Sequence, residues 1–199
     1  MPRLVSAPVT PKRAMTARRA ATRERLVKAA TKVVARRGFH AATVDDIAEE
    51  AGFSVGAIYS NFASKDDLFL AVFDGHLRWY RARLEIAAAT PDPRRVFREW
   101  MDAAMQNPEQ LLIFIEFWAY AVRKPKLRRT FAARLAEIRS TMGEAIAKRA
   151  SASGNEPPVP PETLALVLLA VGRGLGLEKL ADDDAVDDSV ADLIAALIP

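Results

Sequence analysis

The sequence predicts an all-α protein of about nine helices, a small N-terminal three-helix unit followed by a larger helical one. Three observations carry that prediction. Apolar residues recur at three- and four-residue steps along most of the 199 residues, and no alternating strand pattern of useful length appears. The stretch from Thr43 to Leu68 crowds three helix starts and a helix stop together. Charge is also uneven: residues 1–40 hold eleven Lys or Arg against the single acid Glu24, a balance of +10, whereas the remainder carries −6.

Residues 1–20, with Pro2, Pro8, Pro11 and basic side chains but no apolar period, read as a flexible basic arm. Helix 1 is expected from near Thr22 to Arg37, burying Leu26, Ala29, Ala30, Val33 and Val34, with Gly38 as its stop. Phe39 then plugs the space against the next helix, and His40 sits at the surface of the turn. Thr43 is placed to cap a short helix bearing Val44, Ile47 and Ala48 inward, and Gly52 ends it. Ser54 caps a second short helix whose Ile58 and Phe62 face inward, and Ser64 with Asp67 starts a third. Two short helices joined by a tight turn form a helix-turn-helix, whose second helix enters a DNA major groove. The domain is bounded at residues 21–66, and residues 67–199 form the second domain.

The candidate DNA-contacting residues follow from that geometry. They are Thr43, Ser54, Val55, Gly56, Ala57, Tyr59, Asn61 and Lys65, joined by Arg18 and Arg19 of the arm, with Lys12 and Arg13 before them. Val55 and Ala57 can touch thymine methyls, Gly56 allows close backbone approach, and Tyr59 and Lys65 can reach phosphates.

A long helix from Ser64 to about Ala89 carries Leu68, Val72, Leu77, Tyr80 and Leu84 and makes the two domains covalently continuous. Helix 5 follows Pro93 with Val96, Phe97, Trp100, Met101 and Met105. Helix 6 after Pro108 is apolar nearly all round and reads as buried. Helix 7, from about Pro125, repeats Leu127, Phe131, Leu135, Ile138, Met142 and Ile146. The segment 151–161 is a linker by composition, and two more helices follow.

Trp100, Met101, Phe114, Glu116, Phe117, Trp118 and Met142 are the candidates to line a ligand site, and their apolar and aromatic character favours a hydrophobic or aromatic ligand. His76 reads as a structural histidine with a pocket role as the alternative. The run Gly172-Arg173-Gly174-Leu175-Gly176 superficially suggests a phosphate loop, but no strand precedes it and it lies in an apolar helical stripe. Close approach of helices at a dimer interface is the expected reason for these glycines.

Composition excludes much else. With no cysteine and two histidines, thiolate chemistry, disulfides and a histidine-rich metal site are excluded, and no cofactor is expected. No apolar run approaches the roughly 20 residues of a membrane helix, and no secretory signal opens the chain, so a cytoplasmic location is expected. No nucleophile–base pairing is legible, so catalysis is not expected.

The stretch Thr43–Leu68 resembles the DNA-binding domain of the TetR family of bacterial regulators. The residues that carry the resemblance are G-F-x-x-x-T-V-x-x-I-A from Gly38, A-G-F-S-V-G-A-I-Y from Ala51, and N-F-x-S-K-D-D-L ending at Leu68. Asn61 departs from the pattern, since a histidine is common there before the Phe. The resemblance implies a homodimer whose C-terminal helices form a four-helix interface. Those helices here offer Leu164, Leu168, Val171, Leu175, Val190, Leu193, Ile194 and Leu197. It also implies a near-palindromic double-stranded DNA operator and a small-molecule effector that releases a repressor from it. The alternative is a ligand-binding or enzymatic helical bundle in which the helix-turn-helix is only a fold element.

Overall fold

The computed structural model describes residues 11–90 and 92–197. Among the described residues there are nine helices and no strand: α1 Pro11–Ala41, α2 Val44–Ala51, α3 Val55–Asn61, α4 Lys65–Ala89, α5 Pro93–Gln106, α6 Pro108–Ala121, α7 Pro125–Ser153, α8 Pro161–Ala181 and α9 Asp188–Leu197. The chain divides into two compact units, with the boundary between Val72 and Phe73, inside α4.

In the first unit, Leu26, Ala30, Val33 and Val34 of α1 bury against Ile47 of α2 and Ile58 of α3, with Phe39, Phe62, Leu68 and Phe69 closing the core. Phe39 meets Phe69 edge to face at 5.0 Å. Gly38, at φ 73° and ψ 164°, breaks α1, so the regular helix ends at Arg37 as expected. At its other end α1 begins at Pro11, about three turns before the expected start near Thr22. The Ala- and Arg-rich run 14–21 favours helix more strongly than its lack of apolar period suggested. Residues 1–10, with Arg3 and the prolines Pro2 and Pro8, lie outside the described residues, as do the side chains of Lys12 and Arg13.

The second unit is built on prolines and aromatics. Pro108, Pro125 and Pro161 each occupy the first turn of a helix, where a missing N–H costs nothing. Phe73 is fully buried, stacked on Phe117 at 4.6 Å and edge-on to Phe131 at 5.0 Å. A second cluster joins Ile146 of α7, Leu164, Ala165 and Leu168 of α8, and Ile194 of α9. No described helix is long and apolar enough to cross a membrane.

Candidate nucleic-acid interface and interior cleft

Four caps set the first unit's geometry. The Thr43 hydroxyl accepts the Asp46 N–H at 3.1 Å while the Asp46 carboxylate accepts the Thr43 N–H at 3.0 Å, a complete capping box. Those hydrogen bonds with Thr43, and then the Arg37 guanidinium, hold the Asp46 carboxyl below its ordinary value. Gly52 adopts the left-handed conformation, φ 66° and ψ 36°, and its N–H returns to Ala48 and Glu49 carbonyls. Ser54 accepts from the Ala57 N–H at 3.2 Å, and Ser64 from the Asp67 N–H at 3.1 Å. The turn between α2 and α3 is thereby fixed at both ends.

This frame buries Ile58 and Phe62 and leaves Ser54, Gly56, Tyr59 and Ser60 exposed, Tyr59 at 54%, with Val55 and Ala57 half-buried between them. Thr43 is exposed at the start of α2. Lys65 is half-buried, its ammonium 5.0 Å from the Phe69 ring centre. Asn61 turns back on its own helix, where its amide donates to the Ala57 carbonyl at 2.8 Å and the Ser60 hydroxyl at 3.2 Å. Both amide hydrogens are thus used within α3, so the structure does not offer them outward.

Arg18 and Arg19 belong to helix α1 and not to a separate arm, and both are exposed. Arg19 donates to the Ser60 carbonyl at 3.1 Å, and Arg23 to the Asn61 carbonyl at 2.8 Å. Two guanidiniums therefore sit at the C-terminus of α3, where the helix dipole is negative. Arg23 also lies over Phe62, and Arg25 over Phe53. Further along α1 the cations are matched by acids: Lys32 and Arg36 pair with Glu50 at 3.2 and 2.6 Å, and Arg37 with Asp46 at 2.6 Å. Arg36, then Lys32, hold the Glu50 carboxyl below its ordinary value. The excess positive charge thus concentrates on the part of α1 beside α3.

The second unit contains a narrow cleft, partly open to solvent, between α4, α5, α6 and α8. His76, Trp79 and Tyr80 of α4 form one wall and Trp100 of α5 another. Asn107, Gln110, Leu111 and Phe114 come from α6 and its start, and Gly172, Arg173 and Gly176 from α8. Of the residues expected around a cavity, Trp100 and Phe114 line it. Met101 and Phe117 are buried in packing, Phe117 under Phe73. Glu116 is half-buried outside the lining. Trp118 is 47% exposed because α6 turns its Trp118 face outward while burying Phe114 and Phe117. Met142 packs instead on the α7–α8–α9 cluster. The side chain of Phe97 lies outside the described ones.

His76 proves to be a cleft residue. Burial drives its imidazole down to about 4, against a hydrogen bond that the ring donates to Gln110, so the ring is neutral near pH 7. Its Nδ1 and the Tyr80 hydroxyl are buried with no hydrogen-bond partner among the described residues. Burial likewise pushes the Tyr80 phenol up. Arg173 lies over Phe114, its guanidinium carbon 4.2 Å from the ring centre, and burial lowers its affinity for a proton. The glycines around it do different jobs. A Cβ at Gly176 would sit 3.0 Å from Leu111, whereas one at Gly172 or Gly174 would meet nothing within 4 Å. Gly176 thus brings α8 close to α6 within the protomer.

Among the residues expected at a dimer interface, Leu164, Leu168 and Ile194 are buried in the protomer's own core, and Val171 and Val190 pack on it. Leu175 is half-buried, and the Leu197 side chain lies outside the described ones. Only Leu193, 65% exposed, stands free. The stripe of α8 that remains outward is a different one: Val167, Ala170, Gly174 and Leu177. The α7 contact takes up much of the more continuously apolar stripe.

Comparison with known proteins agrees with both halves of this description. A family model described as bacterial regulatory proteins, tetR family, matches residues 26–72, and one described as BetI-type transcriptional repressor, C-terminal, matches residues 92–198. The transcriptional activator FasR of Mycolicibacterium smegmatis is 46% identical over 55 residues, 28% of this chain and 25% of that protein. The transcriptional repressor KstR2 of Mycobacterium tuberculosis is 33% identical over 97 residues, 46% of this chain and 48% of that one. The chain therefore spans a quarter to about half the length of these curated relatives. A putative TetR-family transcriptional regulator from Rhodococcus sp. shares the fold with a TM-score of 0.74 at 24% identity, over 90% of this chain and 100% of its own. Matched in its capped front helices and over more than half its length behind them, the chain belongs to the TetR family of bacterial regulatory proteins.

Proposed function

We propose that this protein is a homodimeric transcriptional repressor that binds a near-palindromic DNA operator and releases it when a small apolar or aromatic effector fills the cleft. The single observation that carries the reading is the exposed face of α3, with Tyr59 outward and Arg18, Arg19, Arg23 and Arg25 of α1 alongside. None of those four arginines is ion-paired to a carboxylate among the described residues. The small residues Gly56 and Ala57 let the α3 backbone approach a groove floor, while Tyr59, Lys65 and the arginines meet phosphates. The repressor-type description of the C-terminal family model supports repression over activation. Dimerisation is assigned to the outward stripe Val167, Ala170, Gly174 and Leu177 with Leu193, in place of the buried leucines. The reading entails no catalytic activity, no cofactor and a cytoplasmic site of action.

Helix α4 gives the effector a route to the DNA-binding unit, because it starts at Lys65 and carries His76 and Tyr80 into the cleft. The effector must bind the two states with different affinity, so DNA and effector oppose each other reciprocally.

The test is a titration of the protein against the DNA upstream of its own gene at two salt concentrations. Saturable binding that weakens steeply with salt and survives excess random DNA is expected. The double variant Tyr59→Ala/Lys65→Ala should lose about two orders of magnitude in affinity while keeping its helical content. Binding that is indifferent to DNA sequence, or unchanged in the double variant, sinks the proposal.

A further inference from the structure

We infer that the ligand of the cleft is an organic monoanion, a carboxylate carried on an apolar body, with Arg173 as its anchor and Tyr80 as its hydrogen-bond donor. The inference rests on reading the cleft as the effector site and adds the chemical class of the effector.

Arg173 is half-buried, and no carboxylate pairs with it among the described residues. The titratable groups that face it are the neutral Tyr80 phenol and a second cation, Arg139 of α7. Its guanidinium carbon lies instead 4.2 Å from the Phe114 ring centre and 5.9 Å from that of Tyr80. Contact with a ring face consumes no hydrogen-bond acceptor, and the guanidinium's N–H fork matches a carboxylate in geometry and charge. A cation withdrawn from water without a counter-charge is costly, and an anion entering the cleft removes that cost.

Beside it the Tyr80 hydroxyl, 5% exposed, has no hydrogen-bond partner among the described residues. Burial keeps it protonated, so it can only donate to an incoming anion. The remaining wall is Trp79, Trp100, Leu111 and Phe114, which suits an acyl or aromatic body. With Arg173 the one cation among the residues lining the cleft and His76 neutral, the cleft suits one negative charge and not a phosphate dianion.

The experiment uses the full chain and four probes: 4-phenylbutyrate and octanoate, with 4-phenylbutyramide and octanamide as neutral isosteres. Binding is followed calorimetrically and by the fluorescence of Trp79 and Trp100. At least one carboxylate should bind about tenfold or more tightly than its amide. In Arg173→Met the carboxylate and amide should bind alike, and Arg173→Lys should restore part of the preference. Equal binding of acid and amide to the parent protein overturns the inference, as does an Arg173→Met variant that keeps the preference. Failure of both carboxylates to bind overturns it too. Should Arg173→Met not fold, the acid–amide comparison on the parent protein decides alone. Operator release is measured separately: carboxylate binding without release sinks the effector reading but upholds the anion site, whereas release by the amides alone does the reverse.

Discussion

In the first unit, Lys32, Arg36 and Arg37 are matched to carboxylates on α2 and Arg18, Arg19, Arg23 and Arg25 are exposed without one, whereas in the second unit Arg173 is half-buried against an aromatic ring with no carboxylate beside it. The stabilising contacts differ in the same way. The first unit is punctuated by short-range caps whose donors and acceptors are used, and the second is built around long-range aromatic contacts that leave polar groups of His76 and Tyr80 unused. The difference teaches how each surface is suited to its partner. Exposed cations are stabilised by solvent until a large polyanion displaces it, and a fixed turn presents them in register. A small ligand is recognised by groups that the fold has desolvated and left unsatisfied.

Four substitutions or conditions probe that contrast, from large to small. Phe73→Ala removes the ring at the centre of the second unit and should cost about 3–5 kcal/mol in urea unfolding; a loss as small as that of a cap would erase the contrast. Acid comes next. The folded His76 titrates near 4, below its ordinary 6.5, so its neutral form is favoured by folding. Its contribution is fully present above about pH 6.5 and is lost as pH falls towards 4, by up to ~3 kcal/mol. Unfolding midpoints at pH 7 and pH 5 should separate accordingly, and His76→Gln should flatten the difference. Asp46 and Glu50, both lowered from ordinary values of 3.8 and 4.5, lose their contribution only as pH falls through those values, below the pH 7 to 5 comparison. Third, Thr43→Ala should cost about 1 kcal/mol through loss of one cap and weaken DNA binding by tilting α2 and α3. Smallest of all, Gly172→Ala should stabilise α8 by up to about 1 kcal/mol, visible as a rise in Tm.

The first unit was largely legible in the sequence because its signals are local. Thr43, Gly52, Ser54 and Ser64 announce helix ends within four residues of the groups they satisfy, and Ile58 and Phe62 face inward by spacing alone. The cleft was only half legible because four helices distant in sequence assemble it. Periodicity found Trp100 and Phe114 but not Trp79 or the cleft role of Tyr80, and it could not say which way α6 rotates, so Gln110 was missed. A signal existed in His76 and Tyr80, four apart on α4, and in Gln110 and Phe114, four apart on α6. Two such pairs on facing helices place polar and aromatic groups together. The run around Arg173 was the other: glycines interrupting an apolar stripe mark a place where helix stability is given up for space.

That last feature bears on how the protein can change. At Gly172 an added methyl group meets no neighbouring atom and intrudes on the cleft, while at Gly176 it presses on Leu111. One position is therefore open to enlargement and the other resists it, on the same face of the same helix. Descendants of this chain can narrow their ligand range by single-base replacements at codon 172 while becoming more heat-resistant. Selection for robustness and selection for a broad chemical diet pull against each other there, and a laboratory search for new sensors has its first site to randomise.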